Sequence, residues 1–443
     1  MELSGWGRFP VVSAEFVEPL DFSSLQMLLA SSDPSAKLVP RGAGLSYGDS
    51  ALAARVIGSR FMDNFSAIDE TARTIRCGSG VSLRQLLRLC MPRGWFLPVV
   101  PGTANVSVGG AIAADVHGKN HHLDGSFCDH VLDLTLLLAN GELIRCSKTS
   151  NPELFQATCG GMGLTGIIIE ATLQLREVPG VFIQRRSLLA HSLRECFELF
   201  EVNSASSYSV AWLDCLARGK QQGRSVLYLG EHVDVSNKRP SQHPTRGWLT
   251  VPFDLPASLL NSYSLNLFNS AYFQAKRYAP KSDTVNSTSY FFPLDGIAHW
   301  NRLYGQRGFL QYQCLIPDDG AFEAISAILH KVSRAGKGSF LSVLKKMGAA
   351  NSNLLSFPGP GYTLALDFKF EPGLFALLEE LDAVVLAYGG RLYLAKDARM
   401  SEAVFKAGYP QWEKFVTLKQ KIDPHGLFAS QQSDRVGLTQ AVR

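Results

Sequence analysis

The sequence predicts an α+β protein of two domains, and three observations carry that expectation. The chain has 443 residues, more than one hydrophobic core ordinarily organises. Residues 1–178 interleave strand-like runs with three glycine-rich turns. Residues 179–390 alternate strand and helix patterns without a repeat, as expected over an antiparallel sheet. Residues 391–443 form a closing segment expected to return to the first domain.

Taken in order, 20–32 shows apolar positions at helical spacing, and "KLVPRGAGLSYGDSAL" reads as strand, glycine turn and exit, giving a short β-α-β opening. Strand-like "TIRCGSGVS", the helix "LRQLLRLCMPRG" and "FLPVVPGT" come next. The stretch 100–125, "VPGTANVSVGGAIAADVHGKNHHLDG", holds five glycines, three histidines and a lysine. "VLDLTLLLANGELIRC" predicts two strands around an Asn-Gly turn. "CGGMGLTGIIIEATLQL" is a glycine turn leading into a long β-branched strand, and "VPGV" at 178–181 marks the domain boundary. Beyond it, "YSVAWLDCL", "FLQYQCLIP" and "YTLALDFKF" are strand-like and "AFEAISAILHKVSRAG" is helical. The tail "PQWEKFVTLKQKIDPHGLFAS" predicts a helix closed by Asp-Pro.

Hydrophobic residues make up 46% and charged residues 19%, the balance of a chain that folds by itself. A net charge of +4 without a dense basic run argues against nucleic acid as a partner. The eight cysteines contain no C-x-x-C pair, so they are expected to be reduced core thiols rather than zinc ligands or disulfides. The start "MELSGWGRFP" has no cationic segment before an apolar core, and no run reaches the roughly 20 apolar residues of a spanning helix, so a cytoplasmic location is expected.

Three glycine turns within the first 170 residues bring bare backbone N–H groups close to something large and phosphorylated, and a dinucleotide suits them. Each turn alone reads equally well as an ordinary tight turn. None has G-x-G-x-x-G between strand and helix, so a Rossmann nicotinamide site is not indicated.

The segments "PRGAGLSYGDSAL", "PGTANVSVGGAIAADVHGKNHH" and "CGGMGLTGIIIEATL" resemble the FAD-binding segments of the vanillyl-alcohol-oxidase (PCMH-type) flavoproteins. The likeness covers nearly the whole chain through "SGWGR", "FPLDGIAHWNRLYGQRGFLQYQCLIP", "GSFLSVLKKMGAANSNLLSFP" and "KIDPHGLFAS". "HGKNHH" and "LYLAKD" are similar to the branch that oxidises polyprenylphosphoryl riboses. The resemblance implies a noncovalent, extended FAD. One set of contacts is Pro40, Arg41, Gly42, Ala43, Gly44, Leu45, Ser46, Tyr47, Gly48, Asp49 and Ser50. A second is Gly102, Thr103, Ser107, Val108, Gly109 and Gly110, and Ala114, Asp115, Val116, His117, Ile169 and Tyr393 complete the lining. Relatives that tether the flavin use a histidine in the first motif; Leu45 stands there and excludes that link.

Oxidising a secondary alcohol needs a C–H held over the flavin and a group that takes or shares the hydroxyl proton. The resemblance gives that catalytic work to Lys396, whereas pattern alone also allows a surface lysine paired with Asp397. Substrate contacts implied are Tyr47, Lys119, Gln311, Gln313 and Lys345, with Lys119 directed at the substrate or its phosphate. Gln311 and Gln313 alternate along "FLQYQC" and share one strand face, which suits sugar hydroxyls and equally a solvated face. His117 and His121 have chelate spacing, but Gly118 and the polar neighbours argue for a loop, and no metal site is expected.

Two departures from the branch's pattern are Ala365, where a cysteine stands in the mycobacterial type, and Phe291, in place of a tyrosine before "PLD". The expected function is oxidation of the 2′-hydroxyl of a polyprenylphosphoryl-β-D-ribose to the 2′-keto sugar. A short-chain dehydrogenase/reductase partner would complete epimerisation toward an arabinose donor. Oxidation of a soluble sugar, sugar alcohol or aldonolactone is the alternative, and an inactive flavin-binding scaffold a third. Residues 246–281 place Trp248, Leu249, Phe253, Leu259, Leu260, Leu265 and Phe268 between basic ends, which suits a flap touching the inner membrane surface or a core helix of the substrate domain.

Overall fold

The computed structural model describes residues 1–31, 37–235, 249–256 and 258–439. Near the start, strand β1 (Glu15–Val17) leads to helix α1 (Phe22–Ala30), whose N-terminus is closed by reciprocal Asp21–Ser24 hydrogen bonds. Strand β2 (Leu38–Arg41) follows, and strand β3 (Arg55–Gly58) lies between β1 and β2, parallel to both. The predicted β-α-β opening is therefore completed by an inserted third strand.

Strand β4 (Thr74–Gly78) is followed by helix α2 (Leu83–Cys90), capped by Ser82 and Gln85, and later by the short helix α3 (Val108–Ala113). The expected hairpin is β5 (Val131–Leu137) and β6 (Leu143–Ser147), with Gly141 at φ +83° supplying the left-handed turn position. Strand β7 (Ile167–Gln174) completes an antiparallel sheet in the order β4-β7-β5-β6. Leucines and valines of these strands pack with α2 and α3 into one core.

The second part is built on β8 (Phe182–Ala190), helix α4 (Leu193–Val202), β9 (Tyr208–Leu213), β10 (Ser225–Val233), helix α5 (Ser262–Tyr278) and β11 (Ser282–Asn286). It continues with β12 (Phe309–Ile316), helix α6 (Ala321–Ala335), β13 (Ser342–Met347), β14 (Gly361–Lys369), helix α7 (Leu374–Ala387) and β15 (Arg391–Leu392). Among the described residues the strands form one eight-stranded antiparallel sheet, ordered β11-β8-β10-β9-β13-β14-β12-β15.

Register decides what this sheet presents. Arg185 pairs with Gly230, Val210 with Tyr228, Trp212 with Val343, Lys345 with Thr363, and Gln313 with Ala365. Because strand side chains alternate with period two, these residues and Gln311 and Asp367 share one face. The opposite face carries Ala211, Leu227, Leu344, Leu364 and Tyr312, buried beneath α4, α6 and α7.

After β15 the chain runs back across the first part. Helix α8 (Trp412–Ile422) ends at Asp423, whose carboxylate accepts from the Leu427 and Phe428 amides. The Ala429 amide donates to Leu38 O, and Arg435 binds both Asp49 and Asp397. All eight cysteines are free and buried.

The segment expected to be either flap or core helix is neither alone. Leu265, Asn269 and Phe273 of α5 are buried, while Tyr263, Leu267, Phe268 and Tyr278 on the same helix, and Leu249, Phe253 and Leu259 before it, are exposed. Trp248 lies outside the described residues. No helix among the described residues is long and apolar enough to cross a membrane.

Candidate active site

A cavity of about 1570 Å³ runs between the glycine loops and the polar face of the large sheet. An ordinary small-molecule pocket occupies roughly 300–1,000 Å³, so this one has room for a large cofactor and a second molecule.

The glycine loops close one side of this cavity. Residues 40–47, 100–103, 105–107, 109–110, 113–114 and 116–119 line it. A Cβ at Gly42 would stand 2.1 Å from Ser107 Oγ, so the first two loops touch only because residue 42 is glycine. Gly44 has φ +67° and lies against the Arg41 guanidinium, which is anchored on Ser4 O at 2.7 Å and Ala51 O at 3.2 Å. A Cβ on Gly102 would meet nothing within 4 Å, so this loop faces open space. Bare amides around a long cleft fit an extended FAD, and Leu45, which lines the cleft, offers no nucleophile for a tether.

At the sheet end, His117 is the hub. Its Nε2 lies 2.9 Å from the Gln313 amide and its Nδ1 3.2 Å from Lys345 Nζ, with Tyr393 and Phe357 beside the ring. Burial, with Lys345 next to it, holds this imidazole well below 6.5, so it is neutral and owns one N–H. A protonated Lys345 donates to Nδ1, which leaves the ring hydrogen on Nε2 facing the Gln313 oxygen. A neutral Lys345 accepts from Nδ1–H, and the amide then turns its NH₂ to Nε2. Lys345 itself is lowered to about 7 by burial and by Lys119 and Lys396.

Lys396 Nζ stands 3.9 Å from the centre of the Tyr47 ring. Burial lowers it to about 8, against a raising effect from Asp367. Asp397 is not its partner, because that carboxylate binds Arg435 and the amides of Arg399 and Met400. Lys119 donates to Phe291 O at 2.9 Å, lies over the Tyr290 and Phe291 rings, and is lowered by burial to about 8. Both His117 nitrogens are engaged, and His121 Nδ1 accepts from the Gly348 amide.

The structure brings Lys396, Tyr47, Lys119, Gln311, Gln313 and Lys345 to one cavity with Ala114, Val116, His117 and Tyr393. Five other residues expected to hold the cofactor are not among those that line the cavity. Gly48 is pressed on Asp397 O, where a Cβ would come within 1.8 Å, and Asp49 pairs with Arg435. Val108 is fully buried among the residues packed on α2, and Ile169 packs on the cluster that includes Leu137 and Phe428. Asp115, at φ +39°, points inward and accepts from Cys128 N, Asn351, Asn353 and Ser356.

Sequence reasoning missed Asp367. It is wholly buried, accepts from Gln311 Nε2 at 2.6 Å and from Tyr304 Oη at 3.3 Å, and is pushed by burial up to about 7. A single acid inside the apolar strand "YTLALDF" was the available signal. Tyr290 was missed too; it lines the cavity beside Lys119, one position before the Phe291 that stands in place of the expected tyrosine.

Residues 17–147 match the FAD binding domain family, and residues 369–436 match the D-arabinono-1,4-lactone oxidase family. The chain is 35% identical to decaprenylphosphoryl-beta-D-ribose oxidase of Mycolicibacterium smegmatis, over 98% of this chain and 97% of that protein. The chain belongs to the decaprenylphosphoryl-beta-D-ribose oxidase family. L-gulonolactone oxidase of Bos taurus is a more distant relative, 23% identical over 98% of each chain. As a member of this family the chain has the two-domain α+β oxidase fold, binds FAD and is an FAD-dependent oxidoreductase acting on CH–OH groups.

Proposed function

We propose that this oxidoreductase converts the 2′-hydroxyl of a polyprenylphosphoryl-β-D-ribose to the 2′-keto sugar, the first half of an epimerisation to the arabinose donor of envelope or glycan synthesis. The observation that carries this reading is the convergence of Lys396, Tyr47, Gln311, Gln313, Lys345 and Lys119 at one end of a cavity whose other end is glycine backbone. FAD, when bound, supplies the acceptor for the hydride that leaves C2′. Lys396, lowered to about 8, takes the hydroxyl proton as a neutral amine. Gln311 and Gln313, on one strand face, hold sugar hydroxyls. Asp367 fixes Gln311 from behind.

A separate reductase of the short-chain dehydrogenase class consumes the ketone. A polyprenyl chain leaves a bilayer only at about 0.8 kcal/mol per CH₂, so the enzyme works at the inner membrane surface, with the exposed apolar residues before and along α5 as its contact.

The match of residues 369–436 to D-arabinono-1,4-lactone oxidase favours one second reading, oxidation of a soluble sugar or lactone. Anaerobic mixing with farnesylphosphoryl ribose, free pentoses and aldonolactones separates the two. Flavin bleaching by the prenylphosphoryl ribose is expected, and bleaching by the soluble compounds alone overturns the lipid reading.

A further inference from the structure

The outer end of the cavity, on strands β8 and β10 and helix α5, carries a group of side chains that the oxidation of the sugar does not use. Arg185, Tyr228, Tyr272 and Lys276 line it, all half-buried. Arg185 and Lys276 flank the same ring: the guanidinium carbon and the ammonium nitrogen each lie 5.8 Å from the centre of Tyr228. Arg185 gives Nε and Nη2 to Asp283, at 2.9 and 2.6 Å, which leaves Nη1 without a hydrogen-bond partner among the described residues. Lys276 has no ion pair among the described residues. The hydroxyls of Tyr228 and Tyr272 are 2.6 Å apart, so one O–H is spent between them and the other is left to donate outward. Two cations against one carboxylate, with a spare guanidinium edge, an ammonium without an ion pair and a free phenol hydrogen, leave more donors than acceptors.

Position narrows the ligand. From Lys345 on β13 to Arg185 on β8 the sheet crosses three strand spacings, about 14 Å at ~4.8 Å each. The stretch between is lined by Val210, Trp212, Leu265, Phe268 and Val343.

We propose that Arg185, Tyr228, Tyr272 and Lys276 form a subsite for a phosphodiester monoanion at the outer end of the cavity, separated from the sugar end by an apolar span. The subsite rests on the lipid-linked reading above. Its ligand is the headgroup of a neighbouring anionic phospholipid, whose oxygens Arg, Lys and phenol donors bind; the substrate's own phosphate, bonded to C1′ beside the reacting C2′, stays at the sugar end.

The test uses the FAD-loaded full chain with Lys276→Gln, which removes the unpaired cation and leaves the Arg185–Asp283 pair intact, and with Lys276→Glu, which reverses the charge. Flavin absorbance confirms that each variant is loaded. One arm measures KM for farnesylphosphoryl ribose in a neutral detergent; the other measures partition onto phosphatidylglycerol against phosphatidylcholine vesicles. A tenfold or greater loss confined to the first arm makes Lys276 a substrate contact and overturns the headgroup subsite. The same loss confined to phosphatidylglycerol vesicles assigns it to a phospholipid headgroup. Unchanged values in both arms for both variants overturn the subsite. Should the unaltered enzyme fail to bleach with farnesylphosphoryl ribose, the substrate reading fails by itself, and the vesicle arm still decides on Lys276.

Discussion

Lys396 lies against Tyr47 where two other lysines, Lys119 and Lys345, enter the same cavity, and burial lowers all three. A general base must be neutral to act, so its contribution rises with pH through its own pKa and then levels off. Stopped-flow flavin reduction is expected to climb through pH about 8 in the unaltered enzyme. Lys396→Ala should lower the rate by about 10²–10⁴-fold with FAD still bound, the usual worth of a positioned proton acceptor. An equal rate in the variant removes Lys396 from the mechanism. Asp367 provides the complementary test. Its carboxylate raises Lys396, so Asp367→Asn lets Lys396 fall further, and the rising limb of the pH profile should move to lower pH. A limb that stays in place means that Asp367 only supports Gln311 and Tyr304.

Among the elements, the loop after α3 depends on a single carboxylate. Asp115 gathers four donors, three of them from residues 351–356, and so ties the first part of the chain to the turn after β13. Asp115→Ala leaves those buried donors unmatched, at about 1–3 kcal/mol for each group that finds no water. A fall in the urea midpoint equivalent to several kcal/mol, with loss of bound FAD, is the expected result. A midpoint shift below about 1 kcal/mol would contradict that account. Arg435 ties the tail down similarly, through Asp49 and Asp397.

For the whole molecule, α5 is the element with two commitments. One side closes the cavity with Leu265, Phe268, Tyr272 and Lys276, and the other exposes Tyr263 and Leu267. Exposed apolar residues of this kind are expected to enter the headgroup boundary. The double variant Phe253→Ser and Leu267→Ser should co-sediment less with anionic vesicles while retaining its flavin spectrum. Equal sedimentation rules this surface out as the membrane contact.

Much of this was legible before any coordinates. The Asn-Gly hairpin, several helices and the antiparallel strands follow from local signals, and the shared face of Gln311 and Gln313 follows from a period of two that any strand imposes. The glycine loops were legible as a cofactor cradle for the same reason, since only bare backbone packs as Gly42 does on Ser107. Loops have no period, so which of their side chains face the cavity was not legible. Asp115 turns inward because Asn351, Asn353 and Ser356, more than 230 positions away, supply its donors, and Asp49 turns to Arg435. Asp367 looked like one acid in an apolar strand until register set it behind Gln311 and near Lys396. The sequence by itself determined the fold class, the cofactor cradle and the residue types of the site. Only the tertiary structure decided which side chains meet there, because partners hundreds of residues apart fix each loop's direction and burial, not residue type, sets the proton affinities of its lysines.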